Sequence, residues 1–214
     1  MRIILASSNA GKEREFKELL RGFEVINYSQ IIAPFEIDEN GADFEQNAII
    51  KARAVFEAIK AQKPSQLENS VVLSDDSGIS VEILGGAPGI FSARYSKDIT
   101  PNPSEASNRA KLKNELEKKG VFSSPAFYTA AIAVIGQCEK KSVCECVLDF
   151  MHGSVIADER GNNGFGYDFM FIPNGYENTI GELSKEIKEK LSHRSKAAAK
   201  ILPILEKLSQ KIQN

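Results

Sequence analysis

The chain has 214 residues, of which 42% are hydrophobic and 26% charged, and carries a formal net charge of −2. That length allows one large domain, or two lobes sharing a sheet, with a sizeable core, and the composition is that of an ordinary soluble protein. The charge argues against a dedicated nucleic-acid binder; with no apolar run near the ~20 residues that span a bilayer and no basic-then-apolar leader, no membrane partner is expected and the cytoplasm is the default.

In chain order, Ile3 to Ala6 reads as a strand, Ser7-Ser8-Asn9-Ala10-Gly11 as a small-residue loop, and the next segment as a helix with Phe16, Leu19 and Leu20 on one face. Phe23 to Tyr28 is a second strand, and Glu36 to Gly41 an acidic loop. The clearest helix follows. Phe44, Ala48, Ile49, Ala52, Val55, Phe56 and Ile59 form one stripe, Asp43 and Gln46 stand at capping-box spacing, and Lys63-Pro64 closes it. After a surface connection, Val71-Val72-Leu73 reads as a buried strand leading into Ser74-Asp75-Asp76-Ser77-Gly78, where Gly78 is expected to turn the chain before Ile79 to Leu84 resumes.

Gly85-Gly86-Ala87-Pro88-Gly89 reads as a turn delivering Arg94 and Tyr95 into a loop. A helix is expected to start near Asn102-Pro103 and to end by Gly120. Two β-rich runs, Ala126 to Gly136 and Lys141 to Met151, have a tight polar connection and predict a hairpin. Strands interspersed with helices indicate an α/β fold, and the hairpin argues against a purely parallel sheet. The expectation is a mixed sheet flanked by helices, with residues 1–214 forming one domain of two lobes and any cleft lying between them.

Four segments carry candidate chemistry. Adjacent side chains on a strand point to opposite faces, so Asp75 and Asp76 cannot both be ordinary surface acids, and paired carboxylates suit a hard divalent cation. The competing reading is a turn whose aspartates cap backbone amides. Ser7 to Lys12 resembles a phosphate cradle, with small residues, a helix start and a lysine, although Ala6 and Glu13 exclude a Walker A loop. Gly161 to Asp168 presents Phe165 and Tyr167 on a glycine-rich loop, where a ring can stack on a nucleobase for ~1–3 kcal/mol or plug the loop into the core.

Ser192 is placed to cap a long helix, which puts His193 and Arg194 in a first turn whose dipole disfavours cations. That misfit points to ligand recognition, with Lys188 a possible contributor. Cys138, Cys144 and Cys146 match no disulfide or zinc pattern and read as buried reduced thiols, while His152 receives no role.

Together these segments resemble the inosine triphosphate pyrophosphatase family, which removes non-standard purine nucleoside triphosphates. The resemblance runs almost end to end and rests on residues 5–12, Asn47 to Arg53, Ser74 to Gly78, Gly85 to Gly89 with Ser92 to Tyr95, Phe165 to Asp168, and Ser192 to Arg194. It implies that Ser7, Ser8, Asn9, Ala10, Gly11, Lys12 and Ser77 bind phosphate and sugar groups. Glu39 and Asp76 would bind Mg2+, and Asp76, with Asp75 beside it, would accept the proton of the attacking water. Phe165, Gly166, Tyr167, Asp168, Lys188, His193 and Arg194 would hold the base. The family resemblance also implies an elongated mixed sheet, a deep cleft and a homodimer. Ser7-Ser8, Gln46 and Phe169 depart from the commonest pattern, Phe169 standing where proline is usual and leaving its loop less constrained.

The expected reaction is hydrolysis between the α and β phosphates, yielding a monophosphate and pyrophosphate, with Glu39, Asp75 and Asp76 converging on one divalent ion. Donors on Arg194 and His193 would accept a purine 6-carbonyl and reject a 6-amino group. The alternatives are a pyrophosphatase of related fold acting on pyrimidine or modified nucleotides, and a nucleotide-binding sensor that hydrolyses nothing.

Overall fold

The computed structural model describes residues 1–138 and 141–213. Its elements are β1 (Arg2–Leu5), α1 (Ala10–Leu19), β2 (Glu24–Asn27), α2 (Phe44–Gln62), β3 (Ser70–Val81), α3 (Glu105–Lys118), β4 (Ser123–Cys138), β5 (Lys141–Ile156), β6 (Phe171–Pro173), α4 (Lys185–Leu191) and α5 (His193–Gln213). The six strands form one sheet in the order β2-β1-β3-β4-β5-β6. β1 runs parallel to β2 and β3, whereas β5 and β6 are antiparallel, so the sheet is mixed. β4 and β5 are neighbours separated by residues 139–140, too few for a parallel crossover, as the expected hairpin requires. That polar connection itself lies outside the described residues.

The chain divides into two compact units, the first comprising Met1–Asp76, Ala131–Leu148 and Ala197–Asn214, the second Ser77–Ala130 and Asp149–Lys196. In the first unit the α2 stripe packs as its spacing predicts. Ala48, Ala52, Val55, Phe56 and Ile59 join Ile4, Val72, Ala131 and Ala133 in one buried cluster. The second unit has its own core, in which Leu112 and Leu116 of α3 meet Ile79, Val81, Tyr128, Met151, Val155, Met170 and Phe171.

Several local expectations are corrected. β3 runs unbroken from Ser70 to Val81, so the paired aspartates sit within a strand and Gly78 makes no turn. The glycine serves a close approach instead. A Cβ there would lie 2.6 Å from the Gly89 carbonyl oxygen and 2.9 Å from Ser92 Cβ. Arg94, expected in a loop with Tyr95, instead ends a 3-10 turn, Gly89–Arg94. Helix α3 begins at Glu105 rather than near Asn102, because Ser104 and Ser107 form a reciprocal capping box: Ser104 Oγ accepts from the Ser107 N–H at 3.1 Å, and Ser107 Oγ from the Ser104 N–H at 2.8 Å.

At α2, Asp43 caps the Gln46 N–H at 2.8 Å, but the Gln46 side chain accepts from Ala42, one residue before the expected partner. Cys144 is exposed and Cys146 half-buried, which corrects the expectation of buried thiols; what burial Cys146 has pushes its thiol up to about 12. The side chain of Cys138 lies outside the described residues. Strand β6 and helix α4 had no sequence expectation of their own. Among the described residues no helix is long and apolar enough to cross a membrane.

Replacing Gly78 with alanine drives a methyl group into backbone that cannot yield as a flexible side chain would. Gly78→Ala is therefore expected to lower unfolding stability by about 1–3 kcal/mol, read as a shift in the urea midpoint. An unchanged midpoint would mean that β3 is not seated against residues 89–92.

Candidate functional site

The period-two alternation of β3 sends its two aspartates to different lysines. Both are almost fully buried, Asp75 at 2% and Asp76 at 7% exposure, where an uncompensated charge is costly. Lys12, in the first turns of α1, places Nζ 2.8 Å from Asp75 Oδ2. Lys51, on α2, places Nζ 2.7 Å from Asp76 Oδ1 and 3.1 Å from Glu39 Oε2. The Ser74 hydroxyl donates to the Ala48 carbonyl, tying the strand to the helix that carries Lys51.

Lys51 is a candidate site residue that the sequence reading does not name, although its segment carries part of the family resemblance. A signal was present. Position 51 follows buried Ala48 by three and precedes buried Val55 by four, so it lies beside the apolar stripe, where a lysine needs a carboxylate partner.

Burial and the two lysines act in opposite directions on this cluster. Burial pushes the Asp76 carboxyl above its ordinary range, and attraction to Lys51 recovers only part of the shift. Burial pulls the other way on Lys51, but Asp76 and Glu39 outweigh it and keep the ammonium protonated beyond the usual lysine range. Two carboxylates thus share one ammonium, and Asp76 Oδ2 is buried without a hydrogen-bond partner. An unpartnered buried oxygen beside a second carboxylate is a donor set that suits a hard divalent cation. Among the described residues no group of three or more acidic, histidine or cysteine side chains is placed to hold a metal. The expected convergence of Glu39, Asp75 and Asp76 on one ion is therefore not found; Asp75 is committed to Lys12.

The loop from Ser7 to Lys12 is closed by its own side chains. Asn9 Oδ1 accepts from the Gly11 and Lys12 amides at 2.8 and 3.1 Å, two of the donors a phosphate cradle would offer. Asn27 steadies the loop from β2 by donating to the Ser7 carbonyl at 2.8 Å and to Glu13 Oε2 at 2.9 Å. Ser8, Asn9 and Ala10 are exposed.

In the second unit, Ser192 caps α5 as its sequence position predicts, accepting from the Ser195 amide at 3.0 Å. His193 and Arg194 occupy the first turn and are both buried. Arg194 Nη2 donates to Ser77 Oγ at 2.8 Å, and its guanidinium lies 5.7 Å from the centre of the Phe165 ring. The His193 imidazole lies parallel to the Tyr128 ring, with centroids 4.7 Å apart and planes at 7°. Lys188, on α4, joins the same group, with Nζ 2.8 Å from Asp168 Oδ2 and 4.7 Å from the Phe165 ring centre.

Asp168 Oδ2 also accepts from the Phe165 amide at 3.0 Å, which closes the turn between them. The two aromatic residues of that loop separate in role. Tyr167 is buried in the core with its hydroxyl donating to the Ser92 carbonyl at 2.8 Å, whereas the Phe165 ring is half-buried among cations. Of the expected base-holding residues, Phe165, Asp168, Lys188 and Arg194 come together, and the Tyr167 side chain serves as an anchor.

The Ham1 family model matches residues 3–204. A dITP/XTP pyrophosphatase of Campylobacter hominis is 54% identical over 209 residues, covering 96% of this chain and 98% of that one. One from Sulfurimonas denitrificans is 50% identical over 208 residues, covering 97% and 100%. Among solved structures, a HAM1 protein from Coxiella burnetii has a TM-score of 0.80 at 32% identity, covering 97% of this chain and 99% of that one. The Staphylococcus aureus Ham1 protein has a TM-score of 0.78 at 33% identity, with 96% and 98% covered. With sequence and fold alike across nearly its whole length, this chain belongs to the Ham1 family.

Proposed function

We propose that the protein hydrolyses non-standard purine nucleoside triphosphates (dITP, ITP and XTP) to the monophosphate and pyrophosphate. The observation that carries the reading is the half-buried Glu39 and buried Asp76 sharing Lys51, with Asp76 Oδ2 left without a hydrogen-bond partner among the described residues. Relatives about half identical over their full length are named dITP/XTP pyrophosphatase, which supports the substrate class.

A triphosphate is densely anionic, so its hydrolysis needs neutralisation and alignment more than covalent chemistry. In this reading Lys12, Lys51 and residues 7–12 hold the phosphates, with Ser77 contributing on the sugar and phosphate side. Glu39 and Asp76 would hold a divalent cation, which when bound supplies positive charge toward the triphosphate and the developing charge of the leaving group. In this reading the proton of the attacking water falls to Asp76 with Asp75 beside it: Lys51 occupies Asp76 Oδ1, and an Oδ2 that ligates the cation cannot at the same time take the proton, so the two aspartates share the task. Magnesium as the ion, a cytoplasmic location and a homodimeric assembly belong to the same proposal and rest on the resemblance to the family.

Base recognition follows from donor chemistry. Phe165 offers a flat face, while Arg194, His193 and Lys188 supply donors to a purine carbonyl. An amino group in place of the 6-carbonyl leaves buried donors opposed to a donor, the arrangement that gives the largest discrimination.

Two outcomes test the proposal. Asp76→Asn preserves shape and removes charge, and is expected to lower kcat for dITP by about 100-fold or more, with a thermal melt confirming that the variant is folded at the assay temperature; near-normal turnover would remove Asp76 from the chemistry. In a panel of dITP, XTP, dATP, dGTP and dCTP, the first two are expected to show the highest kcat/KM. Arg194→Ala should then narrow the preference for dITP over dATP by about tenfold, roughly 1.4 kcal/mol of differential transition-state binding. An unchanged ratio would mean that Arg194 does not read the base.

A further inference from the structure

The loop proposed to hold the base is anchored on both sides of Phe165–Asp168, yet its central residue, Gly166, has a positive φ of 60° and belongs to no helix or strand. Beyond the turn's own bonds between Phe165 and Asp168, such a backbone is steadied by hydrogen bonds from neighbouring elements. Helix α3 supplies two of them to Gly166. Glu105 Oε2 accepts from the Gly166 amide at 2.9 Å, and Arg109 Nη1 donates to the Gly166 carbonyl at 2.9 Å. The two residues are four apart on one face of the helix, so they reach the same peptide segment together.

Arg109 is itself held. Its Nε donates to Glu159 Oε2 at 2.8 Å, and its guanidinium lies over the Phe169 ring with Cζ 4.8 Å from the centre. Phe169 carries none of the backbone restriction that proline would impose at that position, and the stacked guanidinium fixes the loop's exit from outside. The helix is a firm platform. Leu112 and Leu116 are buried, and Asn108 bonds the Ser96 amide at 2.8 Å and the Ala93 carbonyl at 3.0 Å.

We infer that Glu105 and Arg109 are positioning residues for nucleotide recognition: by holding the amide and the carbonyl of Gly166 they set the Phe165 ring in the orientation against which a purine stacks. This inference rests on the assignment of residues 165–168 to the base, and it adds a specificity determinant on a helix that contributes no group to the substrate. Neither residue touches the phosphates or the acids of β3, so their loss weakens binding and leaves the chemical step alone.

The test uses the whole protein and two independent readouts. Hydrogen exchange of the segment containing Gly166 is compared in the wild type, Glu105→Ala and Glu105→Gln, with melting midpoints confirming that each variant is folded. Glu105→Ala is expected to speed exchange of the Gly166 amide by about tenfold or more, while Glu105→Gln, which retains an acceptor oxygen, restores most of the protection. Steady-state kinetics with dITP should show KM raised about tenfold in Glu105→Ala with kcat within about twofold, and the glutamine variant returned toward the wild type. Arg109→Met, which keeps the aliphatic stem, is expected to give the same split. Unchanged exchange in Glu105→Ala overturns the clamp; faster exchange with an unchanged KM, or a loss confined to kcat, overturns its role in recognition. Failure of the underlying functional reading shows separately, as a wild-type protein that does not hydrolyse dITP while the exchange pattern still reports whether the clamp exists.

Discussion

Burying two adjacent carboxylates in the middle of a strand is the constraint around which the first unit is organised. Asp75 and Asp76 are each nearly inaccessible, and removing one partner of a buried ion pair typically costs about 3–5 kcal/mol because the other charge is left uncompensated. The fold meets this requirement from two helices. The α1 start brings Lys12 to Asp75 and α2 brings Lys51 to Asp76, while parallel pairing with β1 fixes the register of β3 between them. Glu39, on a segment without regular structure, then adds a carboxylate to the same ammonium. Such a cluster is a poor device for stability alone, since apolar residues of similar volume would do as well.

The second unit solves a complementary problem, which is to present cations at a helix start. Arg194 sits where the α5 dipole opposes it, and the fold offsets the cost with the Ser77 hydroxyl and the Phe165 π-face. Lys188 is matched by Asp168, whose carboxylate also closes the loop. Tyr167 ties that loop into the core, and α3 holds Gly166 from the far side.

Much of this was legible in the sequence because it follows local periodicity. The α2 stripe, the Asp43 and Ser192 caps and the β4–β5 hairpin are set by residues near one another in the chain. Gly78 was misread for a physical reason: a glycine after polar residues suggests a turn, whereas the reason for it is the Gly89 carbonyl approaching from another segment. Ser104 displaced Asn102 as the α3 cap because a reciprocal partner three residues on counts for more than asparagine's intrinsic preference. Short β6 exists only through pairing with β5, which no local pattern encodes.

Among the candidate residues, the acids of β3 and the Ser-His-Arg turn stand out in the sequence from charge set against an expected structural context. Lys51 does not, since a lysine on a helix is ordinary until its neighbours are known to be buried. The division of labour between Phe165 and Tyr167 likewise depends on which ring reaches the core.

The central claim is that the buried acids of β3 and Glu39 serve cleavage of a purine triphosphate between its first and second phosphates. Following dITP and magnesium with the purified protein by 31P NMR tests it directly. The account predicts that dIMP and pyrophosphate appear in equal amounts with no orthophosphate; release of orthophosphate with dIDP, or an unchanged triphosphate, would contradict it.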